Sequence, residues 1–350
     1  MSKEVIFILK NRAMGDSIMG LSAVSYFRLL YPKATIIYGL PQWICGLYRD
    51  VDTDADEIFP VDLGSFGGIL DLYEFLLNAQ VTIIHELHQT GSGKKVLSLF
   101  ASLKGIKYTY HNHHKKYFQS EVIQHGEPLP LIQRDLDGVY SFYAREQSRP
   151  NYLDFSPTMK MKVSENKQVH STPPKNKIIF GVVATRPTKI WPIESFISLA
   201  LLIENKFSNV EILIPLSKNS FDQALKNKIQ NEKNLKHVQI IEKPLDELPQ
   251  VLSGATLYIG NDTGLKHLAI ALGTTTYTLF GPEPILEWHP YDVFEHPVFY
   301  REQLACRTRQ AHYCGLYECD LFDREYLYCL KSFSPEYVFQ ELGKVLSNTV

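Results

Sequence analysis

Three stretches of this chain combine residue types that can hold an anion and accept a proton. The first is Gly260-Asn261-Asp262-Thr263-Gly264, a run of turn formers. Residues 255–259 before it are apolar and read as a buried strand. Residues 265–272 after it carry Leu265, Leu268, Ala269 and Leu272 at helical spacing. Such a turn offers small residues, unpaired N–H groups of a helix start and the positive end of its dipole, which suit a bound diphosphate. Thr263 can add a hydroxyl, and His267 sits one turn into the helix, expected on the same side. An ordinary Asx-type helix cap fits the same residues. The second stretch is Arg12-Ala13-Met14-Gly15-Asp16, behind the apolar residues 5–9. A carboxylate there, kept ionised by a helix start, can take a proton from an attacking hydroxyl, and a plain capping Asp would look alike. The third is Thr185-Arg186-Pro187-Thr188-Lys189-Ile190-Trp191-Pro192. A lysine between strand and helix can neutralise charge growing on a leaving diphosphate, with Thr185 and Arg186 as further donors. A solvated loop lysine is the plainer alternative.

The elements needed to position these residues can be read around them. Apolar runs at 5–9, 35–38, 57–60, 81–84 and 107–110 predict strands, alternating with helices over 17–30, 42–48, 69–77, 94–103 and 136–146. Residues 164–177, polar and containing Pro173-Pro174, read as a linker. The alternation then restarts, with strands at 178–183, 210–214, 238–241, 255–259 and 276–280. Helices are expected at 192–206, with Pro192 as first helical residue, 219–230, 245–252 and 265–272. Residues 285–332 read as irregular and 335–346 as a closing helix. The fold class is therefore α/β: two Rossmann-like parallel-sheet domains, with ligands expected at strand carboxyl ends in a cleft between them. The expected domains are 1–165 and 178–332, with 333–350 closing the chain.

Bulk properties narrow the class. The 350 residues are 45% hydrophobic and 21% charged with a net charge of −2, which gives no general attraction to nucleic acid. The apolar run at the start is too short for a signal-peptide core or a membrane span, so a cytoplasmic protein is expected.

Several tempting signals are weaker. Gly91-Ser92-Gly93-Lys94-Lys95 fails the P-loop pattern, because position 88 is His and Lys95 stands where Ser or Thr belongs. His85-Glu86-Leu87-His88 is not H-E-x-x-H, although the end of that strand could touch an acceptor. His111, His113 and His114, beside Lys115 and Lys116, read as a solvated loop in preference to an anion site. Asp222 stands roughly where a ribose-binding carboxylate would be sought, but a solvated helical Asp is the better reading. Cys306, Cys314, Cys319 and Cys329 are spaced C-x7-C-x4-C-x9-C, without the C-x2-C pairs of common zinc sites. Free or buried thiols are expected there in preference to a metal.

Together the motifs resemble those of the lipopolysaccharide heptosyltransferases, glycosyltransferase family 9. Asp262-Thr263-Gly264 with His267 is similar to the family's D-T-G-x-x-H, which leads into an apolar helix and a G-P turn. Thr185 to Pro192 is similar to its T-x-x-x-K-x-W-P. Arg12 to Asp16 resembles its N-terminal motif, in which the matching Asp is regarded as general base. Cys329 to Val338 is similar to its closing C-x-x-[IF]-x-P-E-x-V. One departure is the absence of the family's usual Pro near Ser22 or Ala23.

The resemblance implies a GT-B fold and an inverting glycosyltransferase that needs no metal or other cofactor for chemistry. Its donor would be a nucleotide-diphosphate sugar, by the resemblance ADP-heptose, and its acceptor a lipopolysaccharide core or another lipid-linked glycan at the inner face of the cytoplasmic membrane, reached without spanning it. Asp16 would be the base, with Gly15 on the acceptor-side loop. Lys189, Thr185, Arg186, Asp262, Thr263, Gly264, Leu265 and His267 would serve the donor. Two other readings share the build: a transferase or epimerase using a different nucleotide sugar, and a non-catalytic nucleotide-binding protein.

Overall fold

The computed structural model describes residues 4–88, 91–111, 128–162, 176–308, 319 and 326–349. The chain divides into two compact units, residues 1–162 with 289–291, and 163–288 with 292–350. Most of the 164–177 stretch, His113, His114, Lys115, Lys116 and Cys314 lie outside the described residues.

In the first unit the strands are β1 (Val5–Leu9), β2 (Thr35–Pro41), β3 (Val51–Asp52), β4 (Glu57–Val61), β5 (Ile83–Glu86), β6 (Lys107–Tyr110) and β7 (Lys160–Met161). Five of them form a parallel sheet in the order β4-β2-β1-β5-β6, while β3 and β7 make a small antiparallel pair. β1 is covered on both faces, with Ile6 through Leu9 wholly buried, hence its unbroken apolar run. The first helix starts earlier than the periodicity suggests. It runs Met14–Met19 with Ala13 at its N-cap, followed by Leu21–Leu30. Asp16 is therefore inside the first turn, and no longer a candidate cap. Gly20, between the two helical segments, is needed for close approach. A Cβ there would stand 2.2 Å from the Tyr38 hydroxyl, which donates to the Ser17 carbonyl at 2.8 Å.

The second unit contains β8 (Asn176–Gly181), β9 (Val210–Pro215), β10 (Val238–Ile241), β11 (Leu257–Asn261), β12 (Thr276–Leu279) and β13 (Val298–Phe299). All are parallel, in the order β10-β9-β8-β11-β12-β13. The helix after β8 is Ile193–Lys206, with Pro192 as its N-cap and not its first residue. The 285–332 stretch is less irregular than expected. It holds a short helix, Ile285–Trp288, the edge strand β13, and Tyr328–Lys331. The closing helix, Pro335–Thr349, packs Val338, Leu342 and Leu346 into the same core as Ile178, Phe180 and Trp191. Among the described residues no helix is long and apolar enough to cross a membrane.

Both sheets grow outward in opposite directions from a central pair, β1 and β5 in one unit and β8 and β11 in the other. In open parallel sheets the carboxyl ends flanking that reversal form a crevice where ligands bind. Lys10 to Asp16 follow β1, and His88 follows β5. The Lys189 loop follows β8, and Asp262 follows β11. Each sheet thus delivers its candidate residues to its own switch point.

Candidate functional site

In the second unit the amide of Asn261, the last residue of β11, fastens the preceding loop. Its Oδ1 accepts the Trp191 backbone N–H at 2.9 Å, and its Nδ2 donates to the Val182 carbonyl at 2.9 Å. Both ends of the segment carrying Lys189 are thereby pinned to β11. Trp191 is wholly buried, and its indole N–H donates to the Phe333 carbonyl at 3.1 Å, tying the loop to the closing segment. Gly181 and Gly260 face each other across β8 and β11, and a Cβ on Gly260 would lie 2.6 Å from the Gly181 backbone. Small residues here are a requirement of close approach.

Lys189 ends a short 3-10 turn, Pro187–Lys189. Its Nζ lies 2.8 Å from Asp262 Oδ2, and its side chain stays 14% exposed. Lys266, wholly buried on the Gly264–Ala271 helix, takes the other oxygen, with Nζ 2.6 Å from Asp262 Oδ1. Burial pushes the Asp262 carboxyl up, but Lys189, Lys266 and His267 outweigh it and hold it well below the usual carboxylate range. Asp262 is therefore an ionised anchor for two lysines. A carboxylate does not itself attract a diphosphate, so its part in an anion site is to place Lys189.

Thr263 is the N-cap of the Gly264–Ala271 helix in extended conformation, and its side chain does not cap the helix. Thr263 and Gly264 are half-buried, whereas Leu265 and His267 are buried. First-turn amides of a helix lack acceptors in a preceding turn; here the Lys266 N–H donates to the Thr263 carbonyl at 3.1 Å. Arg186 pairs with Glu283 in the Gly281-Pro282-Glu283-Pro284 turn, and Thr185 is exposed on the loop. Asp222 is no ribose ligand in this arrangement. It is buried, its Oδ2 accepts the Ser217 N–H at 2.6 Å, and its own N–H donates to Asn219 Oδ1 at 2.8 Å, so it organises a helix start. Among the described residues no group of His, Cys, Asp and Glu could hold a metal ion, and Cys306, Cys319 and Cys329 form no disulfide.

In the first unit Asp16 and Gly15 are partly exposed on the first turn. Burial raises the Asp16 pKa, opposed by the charges of Lys10 and Arg12 and assisted by that of Asp135. The helix start is one influence among several on this carboxyl, and burial is the largest. Beneath it lies a network that sequence reasoning missed. The wholly buried Lys10 Nζ contacts both Asp135 oxygens, at 2.9 and 2.6 Å, and His111 Nε2 lies 3.2 Å from Asp135 Oδ1. The Asp135 carboxyl is held below the usual range because Lys10 and His111 override its desolvation. His111 is thus buried and paired, not solvated. His85 is also buried and bonds Thr109 at 2.8 Å, which removes it from the surface where an acceptor could touch it. His88 is pushed down to about 2 by burial and by Lys10 and Arg12, so it is neutral.

Comparison with known proteins agrees with this build. Over 165 residues the chain is 26% identical to a lipooligosaccharide heptosyltransferase 2 of Campylobacter jejuni subsp. jejuni, covering 46% of this chain and 48% of that one. The chain spans about half the length of the curated relatives it matches. Among solved structures it resembles an E. coli ADP-heptose lps heptosyltransferase II, at TM-score 0.73 and 19% identity over 99% of both chains. It also resembles a glycosyl transferase family 9 structure from Veillonella parvula, at TM-score 0.71 and 16% identity over 99% of this chain and 98% of that one. These likenesses bear out the two-sheet GT-B fold. The pattern of glycosyltransferase family 9 (heptosyltransferase) matches residues 108–315, more than half of the sequence, and the chain belongs to that family.

Proposed function

We propose that this protein is an inverting glycosyltransferase that moves a heptose from ADP-heptose to a lipopolysaccharide-core or other glycan acceptor. The second unit serves as the donor-binding domain and the first as the acceptor domain. The observation that carries the reading is the Lys189 ammonium, pinned at 2.8 Å to an ionised Asp262 beside the start of the Gly264–Ala271 helix, in a chain of the heptosyltransferase family. A half-exposed Thr263-Gly264 turn, the first helical amides and Lys189 offer a diphosphate both hydrogen bonds and positive charge. Thr185 and Arg186 lie on the same loop and add donors at its edge.

In the reaction the acceptor hydroxyl oxygen attacks the anomeric carbon, and the bond from that carbon to the diphosphate breaks. The hydroxyl proton passes to the Asp16 carboxylate, and ADP leaves with its new negative charge against Lys189. A base of raised pKa is a stronger proton acceptor than an ordinary aspartate, provided it stays ionised at working pH. The acceptor, being lipid-linked, would be met at the inner face of the cytoplasmic membrane.

Mass analysis of products tests the donor class. ADP-heptose should give a heptosylated glycan and ADP with inverted anomeric configuration. Turnover with a UDP-sugar and none with ADP-heptose would replace this reading with that of another nucleotide-sugar enzyme.

A further inference from the structure

The D-T-G-x-x-H pattern leaves two positions open, and this chain places Lys266 in the second of them. A wholly buried lysine on a helix whose other residues from Leu265 to Ala271 are buried and mostly apolar is an unusual choice, because desolvation strongly disfavours its charge. Its surroundings explain how it is kept. Nζ lies 2.6 Å from Asp262 Oδ1, donates to the Trp288 carbonyl at 2.8 Å, and sits 4.6 Å from the centroid of the Phe280 ring. Each contact favours an ammonium ion.

The charge count follows directly. Asp262 contributes one negative charge, and Lys189 and Lys266 contribute two positive ones. Lys189 and Asp262 alone would be a neutral pair, and an incoming diphosphate would meet the carboxylate as well as the ammonium. Lys266 lies on the inner side of Asp262, whereas Lys189 is the partly exposed member. Two histidines also face the cluster. His267 helps stabilise the Asp262 anion, and His296 is pushed down to about 4 by burial with Lys266 opposing its protonation, so it adds no charge near neutral pH.

We infer that Lys266 is a charge-compensating, positioning residue of the donor site: it neutralises Asp262 from behind and leaves Lys189 cationic toward the donor diphosphate. The inference rests on the donor-site reading and gives that site a second cation which never touches the ligand.

Calorimetric titration of the full chain with ADP, and with adenosine as the control lacking phosphate, tests it. Lys266→Met should weaken ADP binding by roughly 10- to 100-fold, the size expected for one charge acting over several ångströms in a partly buried site. Adenosine binding should hardly change. The ADP deficit should shrink at alkaline pH, where the native lysine loses its own charge, which a purely structural lysine would not do. Should Lys266→Met fail to fold, the native chain carries the same test. Burial pushes Lys266 down to about 8, so ADP affinity should fall as pH rises through that value. ADP affinity unchanged in Lys266→Met, a deficit in that variant that stays the same at alkaline pH, or native affinity flat from neutral to alkaline pH would each overturn the inference. A native chain that binds no ADP would instead overturn the donor-site reading on which it stands.

Discussion

Replacing Asp135 by Asn should expose how strongly the first unit depends on its buried ion pair. Lys10 and Asp135 are wholly or almost wholly buried, and both carboxylate oxygens lie within 2.9 Å of the ammonium. Asparagine nearly preserves the shape but removes the charge, so Lys10 would be left as an uncompensated cation and His111 would lose its carboxylate. Breaking such a pair from one side costs about 3–5 kcal/mol. In a unit of this size each kcal/mol moves the melting temperature by about 2–4 °C, so a drop of roughly 6–20 °C is expected. Replacing both partners, Lys10→Met with Asp135→Leu, should recover most of that loss, because paired buried charges exchanged for apolar groups of similar volume are often neutral or stabilising. Scanning calorimetry of the native chain, Asp135→Asn and the double variant reads both effects. If Asp135→Asn unfolds within about 1 kcal/mol of the native chain, or the double variant is no more stable than the single one, the buried-pair argument is wrong.

Other expectations follow from single contacts. Asp222→Ala should lower stability by about 1 kcal/mol through loss of its helix-start bonds while leaving ADP affinity unchanged, as thermal melts and calorimetry would show. A selective loss of nucleotide binding would return Asp222 to the ribose site. Because burial raises the pKa of Asp16, catalysis should fall on the acid side of a pH profile with its inflection above the ordinary aspartate range, the ionised base being lost as pH falls. Asp135→Asn, if folded, should move that inflection to lower pH, since the Asp135 charge is one of the causes raising it.

The sheets were legible in the sequence because parallel strands are buried on both faces and leave unbroken apolar runs, as 5–9 and 257–259 do. Short elements escaped. Val298–Phe299 has two residues and no period to read, and the Val51–Asp52 and Lys160–Met161 pair is joined only through the fold. Asp16, Lys189 and Asp262 were found because turn formers and a family-like spacing surround them. Lys10, Asp135 and His111 were not, since nothing local marks a charged residue as buried and their partners lie 24 to 125 positions away. Lys266 was the one hidden residue with a local signal, standing four positions after an aspartate, the spacing of an ion pair across one helical turn. Asp222 reads as a solvated helical residue because nothing local marks its carboxylate as the buried acceptor of the Ser217 N–H.

In the proposed reaction, proton removal by Asp16 and donor binding by the other unit are separable roles. Steady-state turnover of ADP-heptose by Asp16→Asn, measured beside its ADP affinity, tests the division most directly. The account expects kcat to fall by roughly 10²- to 10⁴-fold, the usual contribution of a positioned base, with ADP bound as tightly as by the native chain. A variant that keeps most of its turnover, or loses ADP binding in step with activity, would contradict it.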